Sequence, residues 1–450
     1  MVNKKGGLSA IQLTMMAVGT VIGGSFFLGT AIPIKSAGPS IIISYVLGGA
    51  LVYFILFALS EMTVADAHPG SFRTFSQREF GPAVGFVTGW VYWTGLVLAM
   101  SSEAIAVSIF FRLWFPGVSV PVLGSLIIIL ITLANLLGAE HLSRLESSLA
   151  GVKVFAIAAF IVIAMALVFG FFPGKPAAGY ELMDAQPFLS GGMTGIAGSM
   201  LIVMFSYAGF EIIGLAASEA REPVKTIPKA ILYTVLTLTI LYICAIAFVL
   251  PLIPIENISE EVSPFVAALE YRGIRWAAGA INIVLVTAII STMLAATFGL
   301  GRMMRSLTDE GHAPAWIKDS GEVPYRGILF SGSAMLIGLG MSFFLPREVY
   351  IFLVSSGGFS LLFTYLIILL THNKFRKNHG CPPRGKCQLP LFPYTSWAAI
   401  IAVTGIIVSM PLVPGQGLGL AAGIILLVFY SICYMVIRYM KRKRLKYAGR

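Results

Sequence analysis

The sequence predicts an all-α integral membrane protein of twelve transmembrane helices, built as two inverted five-helix halves with two further helices appended. Three observations lead there. Of 450 residues 57% are apolar and 11% charged, with a mean hydropathy of +0.89, far outside the range of a soluble domain. Apolar runs long enough to cross a bilayer recur from end to end, leaving no room for a soluble catalytic or nucleic-acid-binding domain. Two of these runs are interrupted at their middle, at Gly19-Thr20-Val21-Ile22-Gly23-Gly24-Ser25-Phe26-Phe27 and at Phe205-Ser206-Tyr207-Ala208-Gly209-Phe210-Glu211.

Reading apolar runs against breakers gives helices at 8–34, 39–65, 82–114, 120–139, 147–172, 190–217, 228–252, 273–306, 326–345, 348–371, 394–411 and 416–438. The runs starting at 82 and 273 exceed one crossing, which implies tilt or protrusion into water. If the two broken helices occupy corresponding places, 8–172 and 190–371 are two half-repeats, and the odd number of spans in each makes the repeat inverted. The segment 394–438 carries the two additional helices and 439–450 is a basic tail, so residues 1–450 form a single transmembrane domain.

The net charge of +11 would suit nucleic acid or an anionic surface, but its distribution reads as topology. Lys4, Lys5, Arg73, Arg78, Arg144, Arg221, Lys225, Lys229, Arg302, Arg305, Lys318, Arg326, Lys374, Arg376, Lys377, Arg384, Lys386 and the tail from Arg438 to Arg450 fall on one side of the predicted spans. The other side holds only Lys35, Arg112, Lys175, Arg272, Arg275 and Arg347. The positive-inside rule then places both termini in the cytoplasm, with an even number of crossings. The tail Lys441-Arg442-Lys443-Arg444 lies near anionic lipid. Lys4 and Lys5 before an apolar run resemble a signal peptide, but the run continues into the multi-span pattern and reads as an uncleaved first helix.

Cys244 and Cys433 sit in apolar runs, and Cys381 and Cys387 in a cytoplasmic loop where thiols stay reduced, so no disulfide framework is expected. His68, His141, His312, His372 and His379 fall in loops or at helix ends, which supplies neither a metal site nor a hydrolytic centre. An arginine ladder and a selectivity-filter loop are also missing from the sequence. These absences disfavour an enzyme and a channel, and no cofactor is called for.

The breaks carry the chemistry. Unwound backbone in hydrocarbon loses internal hydrogen bonds at several kcal/mol per orphan group and persists only where it lines a cavity. The first break combines three glycines with Thr20 and Ser25, which lets a ligand approach the backbone. Its amides could hold a carboxylate, although the same small residues would serve as a helix-packing seam. In the second break, the intramembrane Glu211 is either a proton carrier or an acceptor for the N–H groups that the break frees. The structural role is the stronger reading. Phe205, Tyr207 and Phe210 either cover a substrate or simply pack.

Lys153 is the one lysine set beyond the first turn of a predicted span. Near the membrane centre it would cost roughly 2.5 to 3.5 kcal/mol, so it either snorkels to an interface or serves as an amine that gains and loses a proton. Glu103 is a third buried ionisable group, suited equally to facing substrate or to a structural hydrogen bond. Ser291 and Thr292 could approach the first break, though such hydroxyls usually bond their own helix.

With these residues in view, the chain resembles the amino acid, polyamine and organocation (APC) superfamily, and within it the bacterial amino acid permeases. The resemblance covers nearly the whole chain. It is carried by Phe205-Ser206-Tyr207-Ala208-Gly209-Phe210-Glu211, by Glu219-Ala220-Arg221-Glu222-Pro223 with Ile227-Pro228-Lys229-Ala230, and by Arg302 with Thr308-Asp309-Glu310-Gly311-His312-Ala313-Pro314. It implies the LeuT-like inverted-repeat fold shared with sodium-coupled amine transporters, with substrate between helices one and six. By position, Ile22, Gly23, Gly24 and Ser25 would offer N–H groups to the substrate α-carboxylate. Carbonyls of Phe205, Ser206 and Ala208 would accept from its α-amine. Phe205 matches a gating aromatic, and Lys153 matches a lysine that fills the place of a bound sodium ion in proton-coupled members. Two departures bear on pocket size and gating: Ser25 ends a triplet that relatives usually close with glycine, and Gly301-Arg302 stands where the family has Ser-Arg.

The resulting expectation is a proton-coupled symporter in a bacterial plasma membrane that imports a neutral, apolar amino acid by alternating access. Thr20, Ser25, Phe205 and Phe210 line the breaks without a cluster of acids that would suit a cationic side chain. An exchanger or exporter of the same fold is the alternative. A transporter-like nutrient sensor is disfavoured, because the chain ends within about a dozen residues of its last predicted helix.

Overall fold

The computed structural model describes residues 7–66, 68, 70–184, 187–215, 220–321, 323–341, 349–381 and 388–448, and most of these are helical. Lys4, Lys5, Glu219, Arg347, Arg384, Lys386 and Cys387 lie outside the described residues, as do the side chains of His141, Arg144, Arg442, Lys443 and Arg444. Helices are the natural outcome for these sequences, since a membrane offers no water to satisfy an exposed backbone N–H or C=O.

The first segment divides into α1 (Ala10–Val21), α2 (Gly24–Phe27) and α3 (Ala31–Ala37), followed by α4 (Ile41–Ala65), α5 (Ser71–Phe80) and α6 (Pro82–Phe111). Then come α7 (Val120–Asn135), α8 (Ala139–Val168), α9 (Glu181–Asp184), α10 (Gly192–Ser206) and α11 (Ile212–Leu215). The chain continues through α12 (Pro223–Val249), α13 (Pro264–Tyr271), α14 (Arg275–Asp309), α15 (Tyr325–Gly340), α16 (Val349–His379), α17 (Tyr394–Ser409) and α18 (Gln416–Ala448). Eight helical stretches among the described residues are long and apolar enough to cross a membrane, alongside the shorter apolar helices Ala10–Val21, Val120–Asn135 and Gly192–Ser206. No strand occurs among the described residues; a single isolated bridge pairs Leu8 with Ala220.

Composition located the apolar spans better than the helix ends. Helix α16 runs to His379 rather than 371, α8 starts at Ala139 rather than 147, and α18 continues to Ala448 rather than 438, because a helix does not stop where its hydrophobic stretch does. Helices α5 and α13 fall between the predicted spans. Each is short, and α5 is bounded by Gly70 and by Gly81 at φ 95°. One expectation is corrected: Cys381 is disulfide-bonded, whereas Cys244 and Cys433 are free. A redox-compartment argument gives a general tendency and says nothing about how a particular loop holds its sulfurs.

Burial separates centre from rim. The most apolar stretches of α6 and α16 are 72% and 78% buried, whereas that of α18 is 6% buried, so the first two run through the core and the last faces lipid. Exposed Leu126, Leu130 and Leu133 on α7 and Ile425, Val428 and Phe429 on α18 supply the lateral apolar surface that a bilayer requires. The start of α1 is held by a capping box in which Ser9 Oγ accepts the Gln12 amide at 3.3 Å and Gln12 Oε1 accepts the Ser9 amide at 2.9 Å. Helix α1 packs on α8, α12 and α14, while α2 packs on α6, α10 and α14. The two interrupted segments are therefore drawn together at the centre.

Candidate substrate site

The first break is short. Helix α1 ends at Val21, Ile22 is extended at φ −73° and ψ 101°, and α2 resumes at Gly24. The restart would leave amides without partners, and a carboxylate from α6 receives them: Glu103 Oε2 accepts from Gly24 N at 2.7 Å and Oε1 from Ser25 N at 3.0 Å. Glu103 is 3% exposed, so both bonds lie away from water. A Cβ at Gly24 would stand 2.6 Å from Glu103 Oε2 and 3.1 Å from side-chain atoms of Ala106 and Ile289. Glycine is thus required there for close approach.

The carbonyls upstream are claimed from another side. Thr292 Oγ1 on α14 donates to Ile22 O at 2.9 Å. Lys153 on α8, 1% exposed, donates through Nζ to Thr292 Oγ1 at 2.9 Å and to the carbonyl of Gly19. Lys153 therefore does not snorkel; its ammonium is planted on the unwinding end of α1. Carboxylate on the amides and ammonium on the carbonyls is the electrostatic arrangement that a helix interruption favours.

At the second break α10 ends at Ser206, and the chain turns through Gly209 at φ 105°, a conformation that favours glycine. Glu211 accepts from Tyr92 OH at 3.0 Å, Gly209 N at 3.1 Å and Tyr365 OH at 3.3 Å. Its carboxylate thus joins the turn to α6 and α16. Phe210 stacks on Tyr365 with ring centroids 4.8 Å apart.

The breaks touch each other. Ser206 Oγ donates to Ser25 O at 3.1 Å and to Ile202 O at 2.9 Å. A Cβ on Gly209 would lie 3.2 Å from both the carbonyl oxygen and Cγ2 of Thr20. Tyr242 OH donates to Ser206 O at 3.1 Å, and its ring stacks on Phe26 at 3.9 Å. The carbonyl of Phe205 accepts the Ala208 amide at 3.1 Å. Thr20, Ile22, Gly23, Gly24, Ser25, Phe205 and Ser206 are buried, with Ala208 half-buried.

The structure thus gathers Thr20, Ile22, Gly23, Gly24, Ser25, Ser206 and Ala208 with Glu103 and Lys153. Phe205 lies against Gly358 of α16. Sequence reasoning missed Tyr92, Tyr242 and Tyr365, which supply hydroxyls to the breaks. The available signal was a tyrosine inside an apolar run, since a buried phenol needs a partner for its OH. Among the described residues no group of His, Cys, Asp and Glu is arranged to hold a metal.

Interrupted helices packed face to face, with buried ionic groups on their loose ends, define a membrane transport protein. Residues 12–448 match the amino acid permease family, and the chain belongs to that family. It is 32% identical to the gamma-aminobutyric acid permease of Bacillus subtilis (strain 168), over 97% of this chain and 94% of that protein. It is 31% identical to the aromatic amino acid transport protein AroP of Escherichia coli O6:H1, over 96% and 95%. Identity to the probable threonine/serine transporter YbxG of Bacillus subtilis (strain 168) is 30%, over 98% and 97%. The family and these relatives are transporters, not enzymes.

Proposed function

We propose that the chain is a secondary active permease that imports a neutral, apolar amino acid with a proton by alternating access. It would use twelve crossings in an inverted five-plus-five repeat, with both termini cytoplasmic. The observation carrying this reading is the contact of the two breaks at Ser206 and Ser25, with Lys153 on Gly19 O and Glu103 on the amides of Gly24 and Ser25. The named substrates of the relatives, 4-aminobutyrate, aromatic amino acids and threonine or serine, carry no net charge at neutral pH, which supports a neutral substrate here.

In this mechanism the substrate carboxylate competes with Glu103 for the Gly24 and Ser25 amides. A proton on Glu103 removes its charge and releases them. The α-amine is received by carbonyls of the second break, Phe205, Ser206 and Ala208. Lys153, when protonated, supplies the positive charge that a sodium ion would otherwise bring, and its loss of a proton loosens the unwinding end of α1. Glu211 braces the second break throughout.

Purified protein in proteoliposomes, offered radiolabelled L-phenylalanine, L-threonine and 4-aminobutyrate under imposed pH or sodium gradients, tests the reading. Uptake should follow the pH gradient. Uptake that follows sodium and ignores pH would refute the coupling, and strong stimulation by preloaded unlabelled amino acid would identify an exchanger instead.

A further inference from the structure

A cluster of buried hydroxyls lies beside the second break, where α10 meets α3, α4 and α12. Thr30 at the start of α3, Tyr45 of α4, Ser206 at the end of α10 and Tyr242 of α12 are each 0% exposed. The Tyr45 ring stands 5.7 Å from that of Tyr242, 6.1 Å from that of Tyr207 and 6.2 Å from that of Phe26, so aromatic faces close the cluster off. The two neighbouring phenols donate elsewhere, Tyr207 OH to Tyr45 O and Tyr242 OH to Ser206 O, both at 3.1 Å. Tyr45 OH and Thr30 Oγ1 have no hydrogen-bond partner among the described residues. Thr30 stands at the N-cap of α3, but its hydroxyl bonds no amide there. The hydroxyls of Thr30 and Ser206 lie beside that of Tyr45, yet Tyr45 OH forms a direct bond with neither.

A buried polar group left unpartnered costs more than its bond would gain, and native interiors hold few of them. Here two share one enclosed place. Ser206 offers a third position: its Oγ carries one proton, directed to Ser25 O at 3.1 Å or Ile202 O at 2.9 Å, and its lone pairs can still accept. Three hydroxyl oxygens facing one small space match the roughly three bonds of a buried water. An ion fits poorly, because hydroxyls and aromatic rings supply no counter-charge.

We propose that Tyr45 is a positioning residue for the second break, acting on Ser206 through one enclosed water that it shares with Thr30. The water accepts from Tyr45 OH and donates to Thr30 Oγ1 and Ser206 Oγ. Ser206 is then held at both ends, its side chain by the water and its carbonyl by Tyr242. This keeps the hydroxyl aimed at Ser25 O, the contact that joins the two breaks, and keeps the carbonyl where the substrate amine is received. The effect on the amine rests on the permease reading; the water does not.

The test combines melting temperature in detergent with uptake kinetics in proteoliposomes, using whichever of L-phenylalanine, L-threonine and 4-aminobutyrate the wild-type protein moves fastest. Tyr45→Phe and Thr30→Val each remove one hydroxyl with little change of shape. Each should melt below wild type, because the water loses a partner, and each should raise KM about fivefold, the worth of one hydrogen bond, with kcat within about twofold. Thr30→Ser, which keeps the hydroxyl, should retain the wild-type KM. The double variant should lose clearly less melting temperature than the two single losses summed, since both act on the same water. A Tyr45→Phe variant that melts at or above wild type overturns the proposal, because deleting a hydroxyl without a partner relieves a cost and deleting a partner of the water adds one. Full additivity in the double variant overturns it as well, and a KM within about twofold of wild type in both single variants overturns the hold on Ser206. Wild-type vesicles that move none of the three amino acids would sink the permease reading, while the melting comparison would still decide the water.

Discussion

Glu103 Oε2 accepts the Gly24 amide at 2.7 Å, while its other oxygen accepts the neighbouring Ser25 amide. A side chain of the protein thereby occupies the backbone seat that the family resemblance reserves for a substrate carboxylate. Replacing Glu103 by Ala would leave two buried amides without acceptors, at a cost of about 1–3 kcal/mol each. The melting temperature in detergent, followed by intrinsic fluorescence, should fall. A transported amino acid should recover more of it in the variant than it adds to wild type, since its carboxylate can take both amides. A ligand-induced shift no larger than that of wild type would count against those amides as the carboxylate seat.

Lys153 is buried between Gly19 O and Thr292. Lys153→Ala should abolish uptake driven by a pH gradient in vesicles whose protein still elutes as a folded species on gel filtration. Full pH-driven uptake in that variant would remove Lys153 from the coupling.

Glu211 gathers two tyrosine hydroxyls and the Gly209 amide. Glu211→Ala should destabilise the protein by about 3 kcal/mol or more, as two buried hydroxyls and one part-buried amide lose their acceptor. Glu211→Gln, which keeps one carbonyl oxygen, should lose less. Equal thermal stability of Glu211→Ala and wild type would show that the turn does not depend on this brace.

At the other end of α6, the α5 residue Arg73 is fully buried and pairs with Glu310 at 2.5 Å, also donating to Ser306 Oγ at 2.8 Å. Burial alone would raise the Glu310 carboxyl, but the hydrogen bond and charge of Arg73 outweigh it and hold the group below the usual carboxylate range. A carboxyl depressed in the folded state contributes stability above its unfolded value of about 4.3 and loses that contribution as pH falls through the folded value. The difference in melting temperature between wild type and Glu310→Gln should therefore be constant from pH 7 to pH 5 and shrink as the pH is lowered toward 3. A difference independent of pH would show that the pair contributes no linkage.

The sequence by itself determined the membrane class, the approximate place of each apolar helix and the two interruptions. These properties are local: a run of apolar residues must form a helix in hydrocarbon whatever surrounds it, and Gly23-Gly24 or Gly209 can break one without help. The bond from the Gly209 amide to Glu211 is local in the same way, since donor and acceptor sit two residues apart. Tertiary structure alone decided that Glu103 meets an amide 79 positions away and that Lys153 reaches a carbonyl 134 positions away. It also decided which acceptor the Tyr242 hydroxyl finds, the carbonyl of Ser206. Helices that satisfy their own backbone bonds leave composition silent about their neighbours. Which buried polar groups find one another is settled only when side chains from different helices pack together.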